Sequence, residues 1–119
     1  MIALAEIRAV VIFSDQPPLL AAWYRQVFGL RELVSSPDFV GLAAPRVALF
    51  IQRTSEGQRP GAGGIRPHFT VRDCRQALAE LVEAGARVLL PLSDTGDEWV
   101  AAVQDPEGNP LGLLQPKAG

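Results

Sequence analysis

Few side chains in this sequence could carry chemistry. The 119 residues include one histidine, His68, and one cysteine, Cys74. A single histidine excludes any site that needs two imidazoles from one chain, and a single cysteine excludes an intrachain disulfide and any multi-cysteine zinc or iron–sulfur site. The spacing supports no Ser-His-Asp or Cys-His arrangement. Cys74 opens a predicted helix outside any expected site, and we expect it to be a small buried hydrophobic residue.

Arginine supplies most of the remaining binding chemistry. Lys and Arg together number 11, and all except Lys117 are arginine. Arg8 and Arg66 each precede an aspartate by seven residues, Asp15 and Asp73, in two similar segments. The planar guanidinium matches the oxygens of a carboxylate or phosphate better than an ammonium does. The arginines are therefore candidates for binding an anionic ligand.

Composition and charge set broad limits on function. Hydrophobic residues make up 48% of the chain and charged residues 20%, with a net charge of −2, as in ordinary globular proteins. Nucleic-acid binding needs a basic face, so no nucleic-acid partner is expected. No apolar stretch approaches the roughly 18 residues of a membrane span, and MIALAEIRAV lacks the pattern of a signal peptide. We expect a cytoplasmic protein that does not bind membranes.

The elements that must position these residues form the same βαβββ unit twice. The halves start at Ile7 and Ile65, 58 residues apart, and each contains a predicted helix that ends at a glycine. The stripe Leu20, Trp23 and Val27 predicts the buried face of the first helix, and Leu78, Leu81 and Val82 predict that of the second. The predicted helices cover about residues 17–28 and 74–84, and the strands cover about 9–14, 30–35, 39–43, 46–52, 67–72, 86–92, 98–104 and 110–115.

The two units are expected to form one domain over residues 1–119. The first module covers residues 5–53, a flexible linker covers 54–64, and the second module covers 65–116. Glycine and polar residues dominate the linker TSEGQRPGAGG. Its GAGG does not match a dinucleotide-binding loop, because Arg66 stands where the third glycine belongs and the strand follows the glycines.

Two segments resemble motifs of the vicinal oxygen chelate superfamily, which includes glyoxalase I, bleomycin-resistance proteins, fosfomycin-resistance thiol transferases and extradiol dioxygenases. WYRQVFGLREL, at 23–33, is similar to the family's helix-to-strand junction, and DPEGNPLGLLQP, at 105–116, to its DPdGN turn and last strand. The repeat fits about residues 5–116. The resemblance implies an α+β fold in which tandem βαβββ modules form an open, incomplete barrel, with helices outside and a cavity on the concave face.

Enzymes of the superfamily hold a divalent metal on His, Glu or Gln side chains from the first and last strand of each module. The matching positions here are Arg8, Arg66, Gly112 and, in the first module, Ala48 or Leu49. Arginine has no lone pair to give a metal and glycine has no side chain. We therefore expect neither a metal nor another cofactor.

A shift of register leaves one alternative open for the metal. His68 lies two residues beyond Arg66, on the same face of the strand. One imidazole needs help from carboxylates to hold a divalent ion. The acids near strands are Glu6, Asp97 and Glu98.

The resemblance also implies which residues line the cavity. If positions 8 and 66 face it, alternation brings Val10, Ile12, His68 and Thr70 to the same face. A register centred near Glu107 pairs Ala102 with Gly112 and Val100 with Leu114, places Glu98 at the rim and turns Trp99, Ala101 and Val103 towards the helices. Trp99 could instead stack on a flat ligand. The candidate ligand-binding residues are Arg8, Arg66, His68, Thr70, Glu98, Trp99, Val100 and Gly112.

The matched arginines predict the charge of the ligand. Arg8 and Arg66 would converge near the pseudo-twofold axis of the cavity and repel each other unless an anion lay between them. The alternative is that both lie at strand ends and pair with Glu6 or Glu98. His68 could likewise be a purely structural imidazole.

The expected function is metal-free binding of a small organic molecule, anionic or antibiotic-like, as in bleomycin-resistance proteins, with catalysis left uncertain. The alternatives are a metal-dependent lyase, isomerase or dioxygenase with displaced ligands, and a protein-interaction module with a vestigial cavity. A homodimer is expected, because open sheets leave strand edges to be covered.

Overall fold

The computed structural model describes residues 9–54 and 66–117. The chain divides into two compact units, residues 1–59 and 60–119, and each contains one βαβββ module. Of the predicted linker, only Thr54 lies within the described residues. Its backbone N–H donates to the Ser14 carbonyl, and its hydroxyl donates to the Asp15 carboxylate. This first linker position therefore belongs to the structure of the first module.

The first module places its first and last strands side by side. Its sheet has the order β1-β4-β3-β2, in which β1 runs parallel to β4 and the other pairs are antiparallel. The helix packs against β3 and β4. The elements are β1 Ala9–Ser14, α1 Pro17–Phe28, β2 Arg31–Ser36, β3 Phe39–Ala44 and β4 Val47–Arg53.

The second module repeats this topology. Its sheet has the order β5-β8-β7-β6, again with the outer β5 parallel to β8 and the remaining pairs antiparallel. The elements are β5 His68–Thr70, α2 Cys74–Glu83, β6 Arg87–Asp94, β7 Glu98–Gln104 and β8 Pro110–Pro116. The predicted α+β fold of tandem βαβββ modules is confirmed over the described residues. No helix among them is long and apolar enough to span a membrane.

Helix α1 is bounded by residues with special backbone properties. Pro17 and Pro18 occupy its first turn, where a missing N–H costs nothing, and Gly29 ends it in the left-handed conformation. The buried aromatic residue is Tyr24, which is 1% exposed, whereas Trp23 is half-buried. The prediction of a Trp23 core stripe is therefore wrong by one position. Trp23 instead packs edge-on against the Tyr24 ring, with centroids 5.0 Å apart.

Helix α2 begins with a side-chain cap. The Asp73 carboxylate accepts a hydrogen bond from the Gln76 backbone N–H at 3.0 Å and so satisfies a donor of the first helical turn. Cys74 and Leu81 are its buried residues. Val82, predicted to join the buried stripe, is 46% exposed, because this ten-residue helix covers its sheet with a narrow face.

One face of each sheet forms the core with its helix. In the first sheet, the helix-facing side carries Ile12, Val40, Leu42, Leu49 and Ile51, all buried. Val10 pairs with Leu49 and Ile12 pairs with Ile51 in the parallel register, so both belong to this side. The expectation that Val10 and Ile12 line the cavity is wrong.

The error comes from the point at which the first helix starts. Its N-cap is Gln16, whereas the N-cap of α2 is Asp73, so the caps lie 57 residues apart instead of 58. An N-cap carboxylate accepts from the N–H of the second or third helical residue. With Asp15 as the cap, these residues would be Pro17 and Pro18, which have no N–H. Asp15 instead bonds outside the helix: its carboxylate accepts from the Thr54 hydroxyl and its carbonyl from Arg53.

The DPEGN turn sets the register of β7 against β8. The buried Asp105 carboxylate accepts hydrogen bonds from the backbone N–H groups of Glu107 and Asn109 and from the Asn109 side chain. Gly108 adopts a φ of 90°, which favours glycine. This turn pairs Ala102 with Gly112 and Val100 with Leu114, which confirms the predicted register.

The outer strands β2 and β6 leave one edge unpaired within their own sheets. Every residue of β2 is exposed, and Leu33, Val34, Val88 and Leu89 are exposed apolar residues on the two strands. Such edges were the reason to expect a homodimer, which stays a prediction.

A cluster around Lys117 holds the chain after β8. The Lys117 ammonium donates to the Asp94 carboxylate at 2.6 Å and lies 4.7 Å from the centroid of the Trp99 ring. Its backbone N–H donates to the Asp97 carbonyl. The hydrogen bond from Lys117, followed by that from the Gly96 N–H, lowers the pKa of Asp94.

The two helix caps predict unequal effects of removing their side chains. Asp73→Ala is expected to lower the free energy of unfolding by about 1 kcal/mol, because the Gln76 N–H loses its acceptor. Gln16→Ala is the matched control and should cost less than about 0.5 kcal/mol, because Gln16 makes no side-chain capping bond. Urea unfolding of both variants measures the difference. Equal losses would contradict the capping assignment.

The Asp94–Lys117 pair predicts a pH dependence of stability. A carboxyl group with a lowered folded-state pKa stabilises the fold above its unfolded-state pKa, ordinarily 3.8, and loses that contribution as the pH falls through the folded-state value. Asp94→Asn should therefore be less stable than the wild type at neutral pH, and the difference should shrink below about pH 4. Thermal unfolding between pH 7 and 2.5 tests this.

Asp97→Asn is the control for the pH experiment. Asp97 is a neighbouring exposed carboxylate whose contact with Lys117 is made through its backbone carbonyl. It should follow the wild type across the pH range. A gap between wild type and Asp94→Asn that is constant with pH would contradict the ionic contribution.

Candidate functional site

The second sheet brings most of the predicted site residues onto one face. Leu111 and Leu113 are fully buried on the side of α2, so the residues that alternate with them lie on the opposite side. We call this opposite side the open face. It is formed by His68 and Thr70 from β5, Gly112 and Leu114 from β8, and Val100 and Ala102 from β7.

The open face consists of two rows that cross the strands. One row runs from His68 through Gly112 to Ala102, and the other runs from Thr70 through Leu114 to Val100. Polar side chains therefore lie on the edge strand β5, and small or apolar side chains lie towards the centre of the sheet. A ligand with one polar end and an apolar body matches this division.

His68 occupies the space that Gly112 leaves. A Cβ atom added at Gly112 would lie 2.6 Å from Nδ1 and 2.7 Å from Cε1 of His68, closer than non-bonded atoms approach. The imidazole therefore packs against the backbone of β8. A side chain at this position would displace the His68 ring, which gives a local packing reason for glycine where the superfamily enzymes have a metal ligand.

Arg66 and His68 form a hydrogen-bonded pair at the start of β5. The Arg66 Nε–H donates to His68 Nε2 at 3.3 Å, so in this arrangement Nε2 carries the lone pair and the proton of the neutral ring is on Nδ1. Both residues are exposed. The terminal guanidinium nitrogens make no hydrogen bond or ion pair within residues 66–117. They can donate to a ligand while Nε holds the imidazole.

The symmetric pair of arginines is not supported by the structure. Arg8 lies outside the described residues. Because the caps Gln16 and Asp73 correspond, the first-module residue equivalent to Arg66 is Ala9, which has no charge. The argument for an anionic ligand therefore depends on Arg66 and its neighbours alone.

Glu98 and Trp99 are placed apart from the other site residues. Glu98 lies at the start of β7, paired with Pro116. It is four residues from Ala102, or roughly 13 Å along the strand. Trp99 pairs with Gln115 and shares the helix-facing side with Ala101 and Leu113, as one of the two interpretations of its position predicts.

The residues present do not fit the divalent metal of the superfamily. The open face offers one imidazole, and its Nε2 lone pair already accepts from the Arg66 cation. Its neighbours Gly112 and Ala102 offer no ligand atom, and Glu98 is too far along the strand. Among residues 9–54 and 66–117, no three His, Cys, Asp or Glu side chains are grouped to hold a metal ion.

The first sheet carries aromatic residues on its own open face, which sequence reasoning missed. Phe39 and Phe50 stack with centroids 5.1 Å apart and planes at 18°. A Cβ at Gly41 would lie 2.7 Å from Phe50, so a glycine in a strand again makes room for a ring. A glycine inside a strand pattern is a signal of such close approach, and Gly41 could have been recognised in this way.

Comparison with known proteins agrees with the fold. A family model described as a glyoxalase-like domain matches residues 9–114. The chain belongs to this family and thereby to the vicinal oxygen chelate superfamily. No curated protein matches the chain significantly.

Solved structures with this fold include a protein described as an enzyme and one described as an antibiotic binding protein. A glyoxalase/bleomycin resistance protein/dioxygenase family enzyme from Burkholderia phytofirmans PsJN is 21% identical, with a TM-score of 0.81 over 95% of this chain and 100% of that chain. TnmS3, an antibiotic binding protein from Streptomyces sp. CB03234, is 21% identical, with a TM-score of 0.79 over 98% and 100%. TioX from Micromonospora sp. ML1 is 22% identical, with a TM-score of 0.71 over 95% and 100%. These likenesses establish the fold alone.

The contact between His68 and Gly112 predicts coupled substitutions. Gly112→Ala should lower the free energy of unfolding by about 1–3 kcal/mol, because the added methyl group collides with the imidazole. In a His68→Ala background, the same change should cost less than about 1 kcal/mol, since the colliding ring is gone. A double-mutant cycle by urea unfolding measures the coupling. Equal costs in the two backgrounds would show that the ring moves aside freely.

Proposed function

We propose that this protein binds a small organic molecule carrying an anionic group, with that group held by Arg66 beside His68 on the open face of the second sheet. Binding needs neither the metal of the superfamily nor a chemical step. A protein of this kind acts by sequestering its ligand.

The observation that carries the proposal is the arrangement of Arg66. Its Nε–H is used by His68 at 3.3 Å, and its terminal nitrogens have no partner within residues 66–117. The hydrogen bond limits rotation of the Arg66 side chain. Less side-chain conformational entropy is therefore lost when a ligand binds to it. A guanidinium oriented in this way can make paired hydrogen bonds to a carboxylate, phosphate or sulfonate.

The remainder of the open face suits the body of such a ligand. Thr70 adds a hydroxyl two residues beyond His68, and Leu114 and Val100 add apolar surface beside it. The His68 ring covers Gly112, and Ala102 is fully buried, so the surface left for a ligand is that of Thr70, Leu114 and Val100. A few polar groups at one side of an apolar surface are the usual composition of an organic-ligand site.

The antibiotic binding protein TnmS3 supports the choice of binding over catalysis. It has the same fold over 98% of this chain, so the fold accommodates binding proteins as well as enzymes. The alternative is a metal-dependent lyase, isomerase or dioxygenase with displaced ligands. The single imidazole and its cationic neighbour argue against this alternative.

An aromatic sulfonate can serve as the probe. The fluorescence of 8-anilinonaphthalene-1-sulfonate should rise on binding to the native protein, and Arg66→Ala should weaken binding by roughly tenfold or more, since a hydrogen bond to a charged group contributes about 1.5–3 kcal/mol. N-phenyl-1-naphthylamine has the same rings without the sulfonate. Its affinity should be lower and should not respond to Arg66→Ala.

Arg25→Ala is the charge-matched control. Arg25 is an exposed arginine on α1, and its loss should leave the affinity for the sulfonate unchanged. Equal affinity in wild type and Arg66→Ala would overturn the proposed anion site. About one tightly held nickel, zinc, iron or manganese ion per purified chain would instead favour the metal-dependent alternative.

A further inference from the structure

A cleft lies on the other side of the second sheet, beside the start of α2. Its volume is about 290 Å³, and it is open to solvent along one side. It lies within the second module, on the side of the sheet opposite the open face. Its lining residues are Arg72, Asp73, Arg75, Leu92, Trp99 and Gln115.

Two exposed guanidiniums border this cleft. Arg72 and Arg75 are exposed, and neither makes a hydrogen bond or an ion pair within the described residues. They lie three residues apart on either side of the helix cap Asp73. The chain has a net charge of −2, so this pair is a local concentration of positive charge on a slightly acidic protein.

The polar groups of the helix start are already satisfied and do not form the site. The Asp73 carboxylate accepts from the Gln76 N–H, and the Gln115 side-chain oxygen accepts from the Cys74 N–H at 2.8 Å. Burial, and secondly the charge of Asp73, raise the pKa of the Cys74 thiol, so Cys74 stays uncharged at neutral pH. The ionic side chains of the lining are Arg72, Arg75 and the Asp73 carboxylate, so the net charge that a ligand meets is +1.

Trp99 and Leu92 supply the apolar wall. The Trp99 ring lies beneath the Lys117 ammonium, which is 4.7 Å from the ring centroid and is itself bonded to Asp94 at 2.6 Å. This contact restrains the indole. A restrained aromatic surface binds a flat ring at a low entropic cost.

From this geometry we propose a second ligand site, in which Arg72 and Arg75 bind the carboxylate of a small aromatic acid whose ring packs against Trp99. A volume of about 290 Å³ lies at the lower limit of small-molecule pockets and suits a single ring. The two guanidiniums of the lining match a carboxylate, and the indole matches the ring. The site does not depend on the function proposed for Arg66.

Tryptophan emission can report on this site if it comes from Trp99 alone. The chain has two tryptophans, so Trp23→Phe leaves Trp99 as the reporter. Titration with sodium benzoate at constant ionic strength should change the emission in a saturable way. Sodium acetate carries the charge without the ring, and benzyl alcohol carries the ring without the charge. Each should bind at least tenfold more weakly than benzoate.

Two sets of variants separate this site from the open face. Arg72→Ala/Arg75→Ala should weaken benzoate binding by at least tenfold, since it removes hydrogen bonds to the charged group, while thermal unfolding stays unchanged because neither side chain is bonded in the fold. Arg66→Ala should leave the Trp99 response intact. Saturation-transfer NMR on benzoate provides a second readout with the native tryptophans in place.

Specific outcomes of these experiments would contradict the second site. A benzoate response that survives Arg72→Ala/Arg75→Ala, or one that Arg66→Ala abolishes, would overturn the second site. Acetate binding as tightly as benzoate would overturn the role of Trp99. Loss of sulfonate binding in Arg66→Ala with intact benzoate binding would support both sites. Intact binding of both probes in Arg66→Ala would remove the Arg66 site and leave this one.

Discussion

Each sheet of this protein is covered on one face by a single short helix, and this constraint determines what every strand residue can do. Side chains alternate between the two faces of a strand, so a residue lies either on the helix-facing side or on the opposite side of its sheet. In the second sheet, Leu111 and Leu113 are fully buried under α2. Gly112 and Leu114 are thereby committed to the open face, together with His68 and Thr70 across the parallel pairing.

Sequence reasoning succeeded in the second module, where a turn motif determines which strand residues share a face. In the second module, the hydrogen bonds of the DPEGN turn tie β7 to β8, among them three that the Asp105 carboxylate accepts. Counting outward from this turn predicted the pairing of Ala102 with Gly112, and the faces of Trp99, Ala101 and Val103 followed. A local motif with one possible hydrogen-bond pattern makes long-range register predictable.

The first module shows where such reasoning fails. Asp15 and Asp73 have similar surroundings in the sequence, but the prolines after Gln16 remove the N–H groups that a capping carboxylate would bind. The equivalent caps are then Gln16 and Asp73, and a difference of one residue moves every side chain of β1 to the opposite face. Val10 and Ile12 became core residues, and Arg66 lost its supposed counterpart. The prolines were visible in the local sequence. The residues that bond Asp15 instead, Arg53 and Thr54, are distant in sequence and could not be predicted from the local pattern.

The sequence pattern also did not predict how the aromatic and imidazole rings pack. The periodicity of α1 predicted Trp23 on the buried face, whereas the buried aromatic residue is its neighbour Tyr24. Gly41 and Gly112 each lie under a ring, Phe50 and His68 respectively. A strand with a glycine at its centre loses β propensity, and here the close approach of an aromatic ring compensates for that loss. The two modules therefore share a packing solution while differing in chemistry, with phenyl rings in the first and an imidazole in the second.

The alternation along β8 gives the two faces of the second sheet separate chemistry. Gly112 supports His68 and hence Arg66 on the open face, while Gln115, three residues later, bonds the first N–H of α2 on the opposite face. Arg66 and the Arg72–Arg75 pair thus follow from one strand held in one register, yet they present their charge on opposite sides of the sheet. Charges on opposite sides are separated by the buried apolar layer, and solvent screens those that are exposed. An anion bound on one side would therefore have little effect on affinity at the other. Both sites nevertheless depend on the Asp105 turn, because it sets the register of β8.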